Sequence, residues 1–341
     1  MVKVGVIGYG YWGPNLVRNF AEMEGWQLVS LCDERPERLA QMQGRYPAVA
    51  TLTGWRDLMA DPHIDAVAIA TPVCTHFEMG MAAIRAGKHV LIEKPIASSS
   101  EEALRLIEEA ERQHVLLMVD HTFIYTGAVR KIKELISAGS LGEIFYYDSV
   151  RVNLGLFQHD VNVIWDLAVH DLAIMEFVLQ RQPVAVSATG VSHIPGGRED
   201  VAYLTMFFDN QLIAHLHVNW LAPVKVRRTL IGGSSKMIVY DDVEPSEKVK
   251  VYDRGITFTN ESEGIYQLKV GYRAGDMWAP QLDMTEALKV EISHLLDCIQ
   301  SGKRPLSDGV AGWRVVRILE AAAESMMQQG RPMQLEGRAT A

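Results

Sequence analysis

The pattern of hydrophobic and polar residues changes once along the chain, near residue 121. Before that point, short runs of apolar residues alternate with segments whose apolar residues recur at helical spacing. Six strands that alternate with helices predict an α/β fold, a doubly wound parallel sheet of the Rossmann type. The predicted strands are Val2–Ile7, Gln27–Cys32, a brief one before Thr53, Ile64–Ala70, Val90–Ile92 and Val115–Val119. A helix is predicted at Ser100–Gln113, opened by a Ser-Ser-Ser-Glu capping run.

After a helix at Ala128–Ser137, the pattern changes to longer strands in which polar and apolar positions alternate. We expect an α+β domain with a large, mostly antiparallel sheet, interrupted by one helix from about Ile164 to Leu179. Asp209-Asn210 predicts a tight hairpin turn, and residues 255–282, which lack periodicity, predict a loop. Met284–Ser301 and Gly309–Met327 are predicted helices. The strands are Ile144–Val152, Val184–Val191, Val201–Phe208, Leu212–Trp220, Val226–Ile231, Lys236–Tyr240 and Lys248–Tyr252.

Length, charge and cysteine content limit the possible functions. A chain of 341 residues exceeds one usual core, so we expect two domains, at 1–121 and 122–341. The net charge of −9 disfavours a nucleic-acid surface, which would be basic. Three scattered cysteines without a CxxC pair indicate reduced thiols, no structural zinc and a cytoplasmic protein. No signal peptide and no membrane span are expected.

A glycine-rich turn follows the first strand. Gly8-x-Gly10-x-x-Gly13 lies between a strand and a helical pattern, as a dinucleotide-binding turn requires. Gly8 permits the tight turn, Gly10 lets the backbone approach a pyrophosphate, and Gly13 lets the helix pack on the strand. The alternative is a glycine-rich turn that binds nothing.

Asp33 ends the second strand, twenty residues beyond Gly13. A carboxylate there accepts the adenosine ribose hydroxyls and disfavours a 2′-phosphate. Arg35 and Arg38 lie close by and weaken that preference. NAD is therefore the expected cofactor, with NADP possible.

Lys94 stands where the predicted strand Val90–Ile92 ends, in the segment Val90-Leu-Ile-Glu-Lys94-Pro-Ile-Ala97. Ligands of open parallel sheets bind at the carboxyl ends of the strands, so this lysine is a candidate for the cleft. The alternative is an ordinary surface lysine. Nothing in the fold itself requires a lysine here.

Asp166 and His170 are four residues apart on the predicted helix and therefore share one face. In the alternative interpretation, Asp166 caps the helix and His170 is a satisfied, partly buried histidine. Zinc chemistry of the HExxH type is not supported, because the second histidine and the glutamate are missing. Asp171 is interpreted as a structural or orienting carboxylate.

Four motifs occur in the order and spacing of one family, the glucose–fructose oxidoreductase / inositol dehydrogenase / MocA (Gfo/Idh/MocA) family, which the whole chain resembles. The resemblance implies that 1–121 is an NAD(P)-binding Rossmann domain, which holds NAD(H) or NADP(H), and that 122–341 is a substrate-binding and oligomerisation domain. It also implies a sugar or cyclitol substrate, a cis Lys94–Pro95 bond and subunits packed sheet to sheet as a homodimer or homotetramer. The motifs are Gly8-x-Gly10-x-x-Gly13, Thr71-Pro72-x-x-x-His76, Ala86-Gly87-Lys-His-Val-x-x-Glu93-Lys94-Pro95 and Asp166-x-x-x-His170. The residues assigned to the cofactor are Gly8, Gly10, Tyr11, Trp12, Gly13, Asp33, Thr71, Pro72, His76, Glu93 and Lys94.

Oxidation of a secondary alcohol needs a base for the hydroxyl proton while hydride leaves the carbon. We assign this base to His170, polarisation of the same oxygen to Lys94, and orientation of both to Asp166. Glu93 is expected to hold either the ribose on the nicotinamide side or Lys94 itself.

Further substrate candidates follow the sixth strand or lie on later strands. His121 and Tyr125 follow the sixth strand, although Tyr125 is equally compatible with core packing. Arg151, with Arg227 and Arg228, could meet a diphosphate, and the alternative places these arginines on solvated strand faces.

The identity of the substrate stays open at this point. Within the family, the segment Asp166-Leu-Ala-Val-His-Asp171 is similar to sugar-nucleotide 3-dehydrogenases that act on UDP-N-acetylglucosamine or its uronic acid. A dehydrogenase or ketoreductase for inositol or a free sugar is a second possibility. A regulator that kept the fold without the chemistry is disfavoured, since Lys94, Asp166 and His170 are all present.

Overall fold

The computed structural model describes residues 1–155, 161–259 and 269–335 of the chain. The described residues form two compact units. The first comprises Met1–Thr126 and Thr285–Glu320, and the second comprises Gly127–Met284 with the described residues that follow Glu320.

A parallel sheet of six strands forms the centre of the first unit, in the order β3-β2-β1-β4-β5-β6. This is the doubly wound Rossmann order, and the predicted fold class is confirmed. The strands are β1 (Val2–Ile7), β2 (Trp26–Cys32), β3 (Ala50–Leu52), β4 (Ala66–Ile69), β5 (His89–Glu93) and β6 (Leu117–Asp120). The helices between them are α1 (Gly13–Glu22), α2 (Pro36–Arg45), α3 (Trp55–Ala60), α4 (His76–Arg85) and α5 (Ser100–Gln113).

Helix α5 illustrates how local chemistry sets the bounds of these elements. The Ser99 hydroxyl accepts a hydrogen bond from the backbone N–H of Glu102 at 3.2 Å, as its predicted capping run requires. The helix ends where His114 adopts a left-handed conformation with φ of 55°. Both bounds agree with the prediction. Two short 3₁₀ turns, Val73–Thr75 and Thr122–Tyr125, complete this part of the unit.

The second unit contains a mixed sheet of nine strands, in the order β16-β13-β12-β11-β7-β10-β9-β8-β17. All its pairings are antiparallel except that of β7 with β10, which confirms a large, mostly antiparallel sheet. Its strands are β7 (Ile144–Leu154), β8 (Ala185–Val191), β9 (Val201–Phe207), β10 (Ile213–Asn219), β11 (Leu221–Gly233), β12 (Met237–Asp241), β13 (Val249–Tyr252), β16 (Met277–Trp278) and β17 (Met333–Gln334). A separate hairpin pairs β14 (Gly255–Thr259) with β15 (Lys269–Arg273).

Helices account for the remaining elements of the chain that the structure describes. In the second unit, a π-helical turn at Ile164–Ala168 runs directly into α7 (Val169–Leu179). In the first unit, the indole of Trp26 donates to the carbonyl of Ile292 on α8, which ties that helix to β2. None of these helices is long and apolar enough to cross a membrane. The helices are α6 (Gly127–Ser137), α7 (Val169–Leu179), α8 (Ala287–Ser301) and α9 (Gly309–Met327).

Two local predictions are wrong. Residues 255–282 are not all loop, because they contain β14, β15 and β16. Strand β16 has only two residues and is held by pairing with β13, so no alternation in its own sequence can reveal it. The connection from β9 to β10 spans residues 208–212, which is longer than the tight turn predicted at Asp209-Asn210.

Candidate active site

The glycine-rich turn joins β1 to the start of α1, and its three glycines have different reasons to be glycine. Gly8 has φ of +95°, and a Cβ on it would lie 2.4 Å from the carbonyl oxygen of Ala70. A Cβ on Gly13 would lie 2.1 Å from the carbonyl oxygen of Gly8. Gly10 is different, because the nearest atom to its Cβ would be Arg38 Nη1 at 3.4 Å. The open space at Gly10 fits the close approach of a pyrophosphate.

Trp12 precedes α1 without capping it, since its side chain makes no capping hydrogen bond. Within the first turn of α1, Pro14 has no N–H, and the N–H of Asn15 donates to the carbonyl of Trp12 at 2.9 Å. The N–H of Gly13 remains as a donor for a pyrophosphate at this helix N-terminus. The Trp12 indole instead donates to Asp120 Oδ2 at 2.6 Å. Tyr11, the other aromatic residue predicted to contact cofactor, is 87% exposed.

Asp33 is buried beside this turn and already accepts several hydrogen bonds. The backbone N–H of Tyr9 donates to it at 2.7 Å, and Arg35 donates through its backbone N–H and its guanidinium. Burial opposes ionisation, but these hydrogen bonds together lower the pKa of Asp33 below its usual value. Asp33 is therefore an ionised acceptor where the adenosine ribose is expected. Arg38 lies close by and donates to the carbonyl of Tyr9 at 2.9 Å.

His76 connects two turns at the carboxyl ends of β4 and β5. Its ring nitrogens lie 2.8 Å from the carbonyl oxygens of Thr71 and Pro95. Burial is the main cause that lowers the pKa of His76, although both carbonyl contacts oppose it. His76 thereby joins the Thr71-Pro72 turn to the segment after Lys94, and its contact with the cofactor stays a prediction.

Lys94 follows directly on β5, and the Lys94–Pro95 bond is cis, as predicted. In the register of β5 with β6, Glu93 lies opposite Asp120. The charge of Lys94 reaches two buried imidazoles, since it lowers the pKa of both His76 and His121. The lysine thus lies among the strand ends of the parallel sheet, where the sequence places it.

His121 is only 3% exposed, and neither ring nitrogen has a hydrogen-bond partner among the residues that the structure describes. Burial, followed by the charge of Lys94, lowers its pKa to about 3, so the imidazole is neutral near pH 7. A neutral imidazole has one donor and one acceptor nitrogen. Both nitrogens are buried and have no partner in the described chain.

Tyr125 lies in the core of the first unit. Its hydroxyl is 2.9 Å from the Ser307 hydroxyl, and its ring packs 5.6 Å from that of His294, measured between centroids. Burial raises its pKa well above the usual value. These contacts favour the packing interpretation of Tyr125 over substrate binding.

Asp166 and His170 lie where the π-helical turn of the second unit passes into α7. Such turns occur frequently at functional sites. Asp166 Oδ2 accepts a hydrogen bond at 2.9 Å from the indole of Trp220, a residue that is itself buried. Sequence reasoning missed Trp220, which lies 54 residues away from Asp166.

Arg151 and Asp171 form a buried ion pair in the second unit. Arg151 Nε lies 2.5 Å from Asp171 Oδ2, and the Ser149 hydroxyl donates to Asp171 Oδ1 at 2.8 Å. The alternative of a solvated strand face is thus wrong for Arg151, whereas Arg228 is exposed and pairs with Asp241. These contacts suit the structural role predicted for Asp171. The substrate-binding role of Arg151 stays a prediction.

Comparisons with known proteins agree with this geometry. The sequence profile described as "Oxidoreductase family, NAD-binding Rossmann fold" (GFO_IDH_MocA) matches residues 2–121. The profile of the GFO/IDH/MocA C-terminal domain matches residues 129–239. The chain belongs to the GFO/IDH/MocA oxidoreductase family. It is therefore an enzyme, an NAD(P)-dependent dehydrogenase, and its first unit is an NAD-binding Rossmann domain.

Several relatives match over nearly the whole chain. The UDP-N-acetylglucosamine 3-dehydrogenase of Acidithiobacillus ferrooxidans is 28% identical over 96% of this chain and 99% of its own length. The solved structure under that name is 30% identical, with a TM-score of 0.80 over 96% of this chain and 98% of its own. The myo-inositol 2-dehydrogenase of Thermotoga maritima is 24% identical over 98% of this chain and 99% of its own length.

Proposed function

We propose that the protein transfers a hydride between a secondary alcohol of a nucleotide-linked sugar and NAD. The proposed substrate is a UDP-N-acetyl-hexosamine or its uronic acid, and the proposed site of oxidation is C3. The position of Lys94 carries the chemical part of this proposal, because its charge lies at the strand ends that hold the cofactor turn. The relative from Acidithiobacillus ferrooxidans, matched along almost its full length, supports the choice of sugar.

Proton transfer is assigned to His170 and Lys94. His170 removes the hydroxyl proton as general base, because an imidazole titrates close to neutral pH without large tuning. Lys94 donates a hydrogen bond to the same oxygen and stabilises the charge that develops on it. NAD, when bound, supplies the hydride acceptor. Asp166, held by the Trp220 indole, orients the other two groups.

His121 is proposed to bind the substrate. A buried imidazole without partners is costly, and a sugar hydroxyl, which both donates and accepts, would satisfy it. Because its pKa is lowered to about 3, His121 would act as a neutral hydrogen-bonding group and not as a charge. This separates its role from that of His170.

The second unit is proposed to mediate self-association. Tyr203, Phe207 and Ile213 lie on the exposed face of β9 and β10. Apolar side chains grouped on an exposed face are typical of an interface. We propose that two subunits associate through this face, as a homodimer or as part of a homotetramer.

A substrate panel tests the proposal. UDP-N-acetylglucosamine, its uronic acid, myo-inositol and free monosaccharides are each incubated with NAD, and NADH fluorescence is recorded. We expect the UDP-sugars to give turnover and the free sugars and inositol to give at least about tenfold less, since a site that binds a nucleotide rejects substrates lacking it. Faster turnover of inositol than of any UDP-sugar would favour the activity named for the Thermotoga maritima relative.

A further inference from the structure

Two carboxyl groups lie buried against each other in the first unit. Asp120 ends β6, Glu291 lies on α8, and both are at most 2% exposed. The two side chains are close enough for each to shift the pKa of the other. Two carboxylates this close repel each other strongly, so one of them must be neutralised. Within residues 1–155, 161–259 and 269–335, no three acidic, histidine or cysteine side chains are arranged to hold a metal ion.

Burial raises the pKa of both carboxyl groups, and the hydrogen-bond donors favour ionisation of Asp120 over that of Glu291. Asp120 accepts from the Trp12 indole at 2.6 Å and from the Thr122 hydroxyl. Thr122 also faces Glu291, but its single hydroxyl proton is used on Asp120. Neither oxygen of Glu291 accepts a hydrogen bond from an N–H or hydroxyl group in the described chain. Because a buried carboxylate without donors is costly, Glu291 is the neutral partner, and its O–H donates to Asp120.

The electrostatic surroundings agree with that assignment. Burial and then the charge of Asp120 raise the pKa of Glu291 well above its usual value, and Glu93 on β5 adds to the effect. Tyr125, on the 3₁₀ turn after β6, is a further titratable group near Glu291, and its own pKa is raised mainly by burial. None of these neighbours is a cation. The Thr122 hydroxyl lowers the pKa of Glu291, but burial and the charge of Asp120 outweigh it.

The pair is connected to the cofactor turn through Trp12. This residue lies between Gly10 and Gly13, directly before α1, and its indole is bonded to Asp120. Asp120 also lies opposite Glu93, the residue before Lys94. One carboxylate thus connects the turn for the pyrophosphate with the strand end that carries the lysine.

We propose that Glu291 is a positioning residue for the cofactor. As a neutral carboxylic acid it donates its proton to Asp120, and Asp120 in turn holds Trp12 and the glycine-rich turn in the geometry that binds the pyrophosphate. The inference depends on the NAD site and is independent of which sugar is oxidised.

NADH binding to the full-length protein, followed by NADH fluorescence, tests the positioning role. Glu291→Leu removes the donor and should weaken binding about tenfold, the usual effect of losing a hydrogen bond to a charged group. Glu291→Gln keeps an N–H donor and should bind within about twofold of wild type. Trp12→Phe should weaken binding as much as Glu291→Leu, and the two losses should not add in the double variant. The control is Asp297→Asn, which changes an exposed carboxylate on the same helix.

Thermal stability as a function of pH tests the neutral state. Since the pKa of Glu291 is higher in the folded than in the unfolded chain, folding takes up a proton. The stabilising contribution is complete below the unfolded pKa and declines as pH rises towards the folded pKa. Glu291→Gln cannot titrate, so between about pH 6 and about pH 9 its melting temperature should fall less than that of wild type.

Specific results would overturn the inference. Coincident pH curves for wild type and Glu291→Gln would mean that Glu291 is ionised. Wild-type NADH affinity in Glu291→Leu would remove the positioning role, and if that variant fails to fold, wild-type affinity in Trp12→Phe has the same consequence. A substrate panel without any turnover leaves these readouts unaffected, so failure of this inference is distinguishable from failure of the proposed function.

Discussion

The two sheets of the molecule differ in how much of their surface is covered, and their chemistry is placed accordingly. In the first unit, β4 and β6 are buried at every residue, as expected for parallel strands covered on both faces. In the second unit, β10 alternates between buried and more exposed positions. The groups proposed to act on cofactor and substrate in the first unit therefore lie at strand ends. The second sheet has one face that packs in the interior and one that is proposed to form an interface.

The same difference decides how each unit accommodates charge. In the first unit, Asp120 and Glu291 share a proton in the interior, beside strands that leave no exposed face. In the second unit, Arg151 and Asp171 neutralise each other as an ion pair. The outer face of its sheet instead carries Tyr203, whose ring stacks on His217 with centroids 4.4 Å apart. In the first unit the buried carboxyl pair is thus relieved by protonation of Glu291. In the second unit the buried carboxylate of Asp171 is neutralised by the guanidinium of Arg151.

The largest expected effect comes from removing the two groups assigned to proton transfer, one in each unit. Lys94→Ala and His170→Ala should each lower kcat by about 10²–10⁴, the usual range for positioned acid–base groups. NADH titration should show nearly unchanged cofactor binding in both. Lys131→Ala and His63→Ala change a lysine paired at the surface and an exposed histidine, and serve as controls. Wild-type kcat in either test variant would remove its assigned role.

Charge burial in the second unit is tested through Arg151. Arg151→Met leaves Asp171 buried without its ion-pair partner, so the free energy of unfolding should fall by about 3–5 kcal/mol. Arg228→Met, on a neighbouring strand with an exposed guanidinium, should cost about 1 kcal/mol or less. Urea denaturation measures both.

The outcome separates two roles for Arg151. A stable Arg151→Met variant with weakened sugar binding would favour the substrate role predicted from the sequence. Loss of stability without a change in KM among the folded molecules would favour the structural role.

The sequence predicts most of the fold because local patterns agree with the final packing. Helix α5 has both its capping serine and its apolar face within its own residues, and its bounds are predicted correctly. Strand β16 has neither, because it exists only through its pairing with β13. Elements defined by their partners are therefore invisible in the local pattern.

The candidate site shows the same division. Gly8, Gly13 and Asp33 are predicted because a single turn and strand impose their spacing. The contact of Trp12 with Asp120 joins residues 108 positions apart, and no local spacing encodes it. Glu291 did leave one signal, since it is a carboxylate on the buried face of α8 beside Leu288 and Ile292.

The exposed face of the second sheet predicts self-association. Light scattering at micromolar concentration should give a mass of at least twice the 38.0 kDa of one subunit. Ile213→Lys places a charge on this face and should weaken association by at least about tenfold, as expected when a buried interface contact is lost. Val243→Lys is the matched control, because Val243 and Ile213 are both 45% exposed. A monomeric wild type would refute this interface.

The smallest expected effect concerns cofactor choice at the end of β2. Asp33 is ionised, and its charge opposes a 2′-phosphate, while Arg35 is bonded to Asp33 and Arg38 to the carbonyl of Tyr9. With both guanidiniums engaged, NADH should bind about fivefold more tightly than NADPH, which corresponds to about 1 kcal/mol for a screened pair of like charges. Fluorescence titration with each cofactor measures the ratio.

Three variants identify which charge sets this ratio. Asp33→Asn should bring the two affinities closer together, because the carboxylate charge is removed. Glu37→Gln removes the same charge at an exposed position on α2 and should leave the ratio unchanged. If wild type instead binds NADPH as well as NADH, and Arg35→Ala or Arg38→Ala abolishes that binding, an arginine and not Asp33 controls the choice of cofactor.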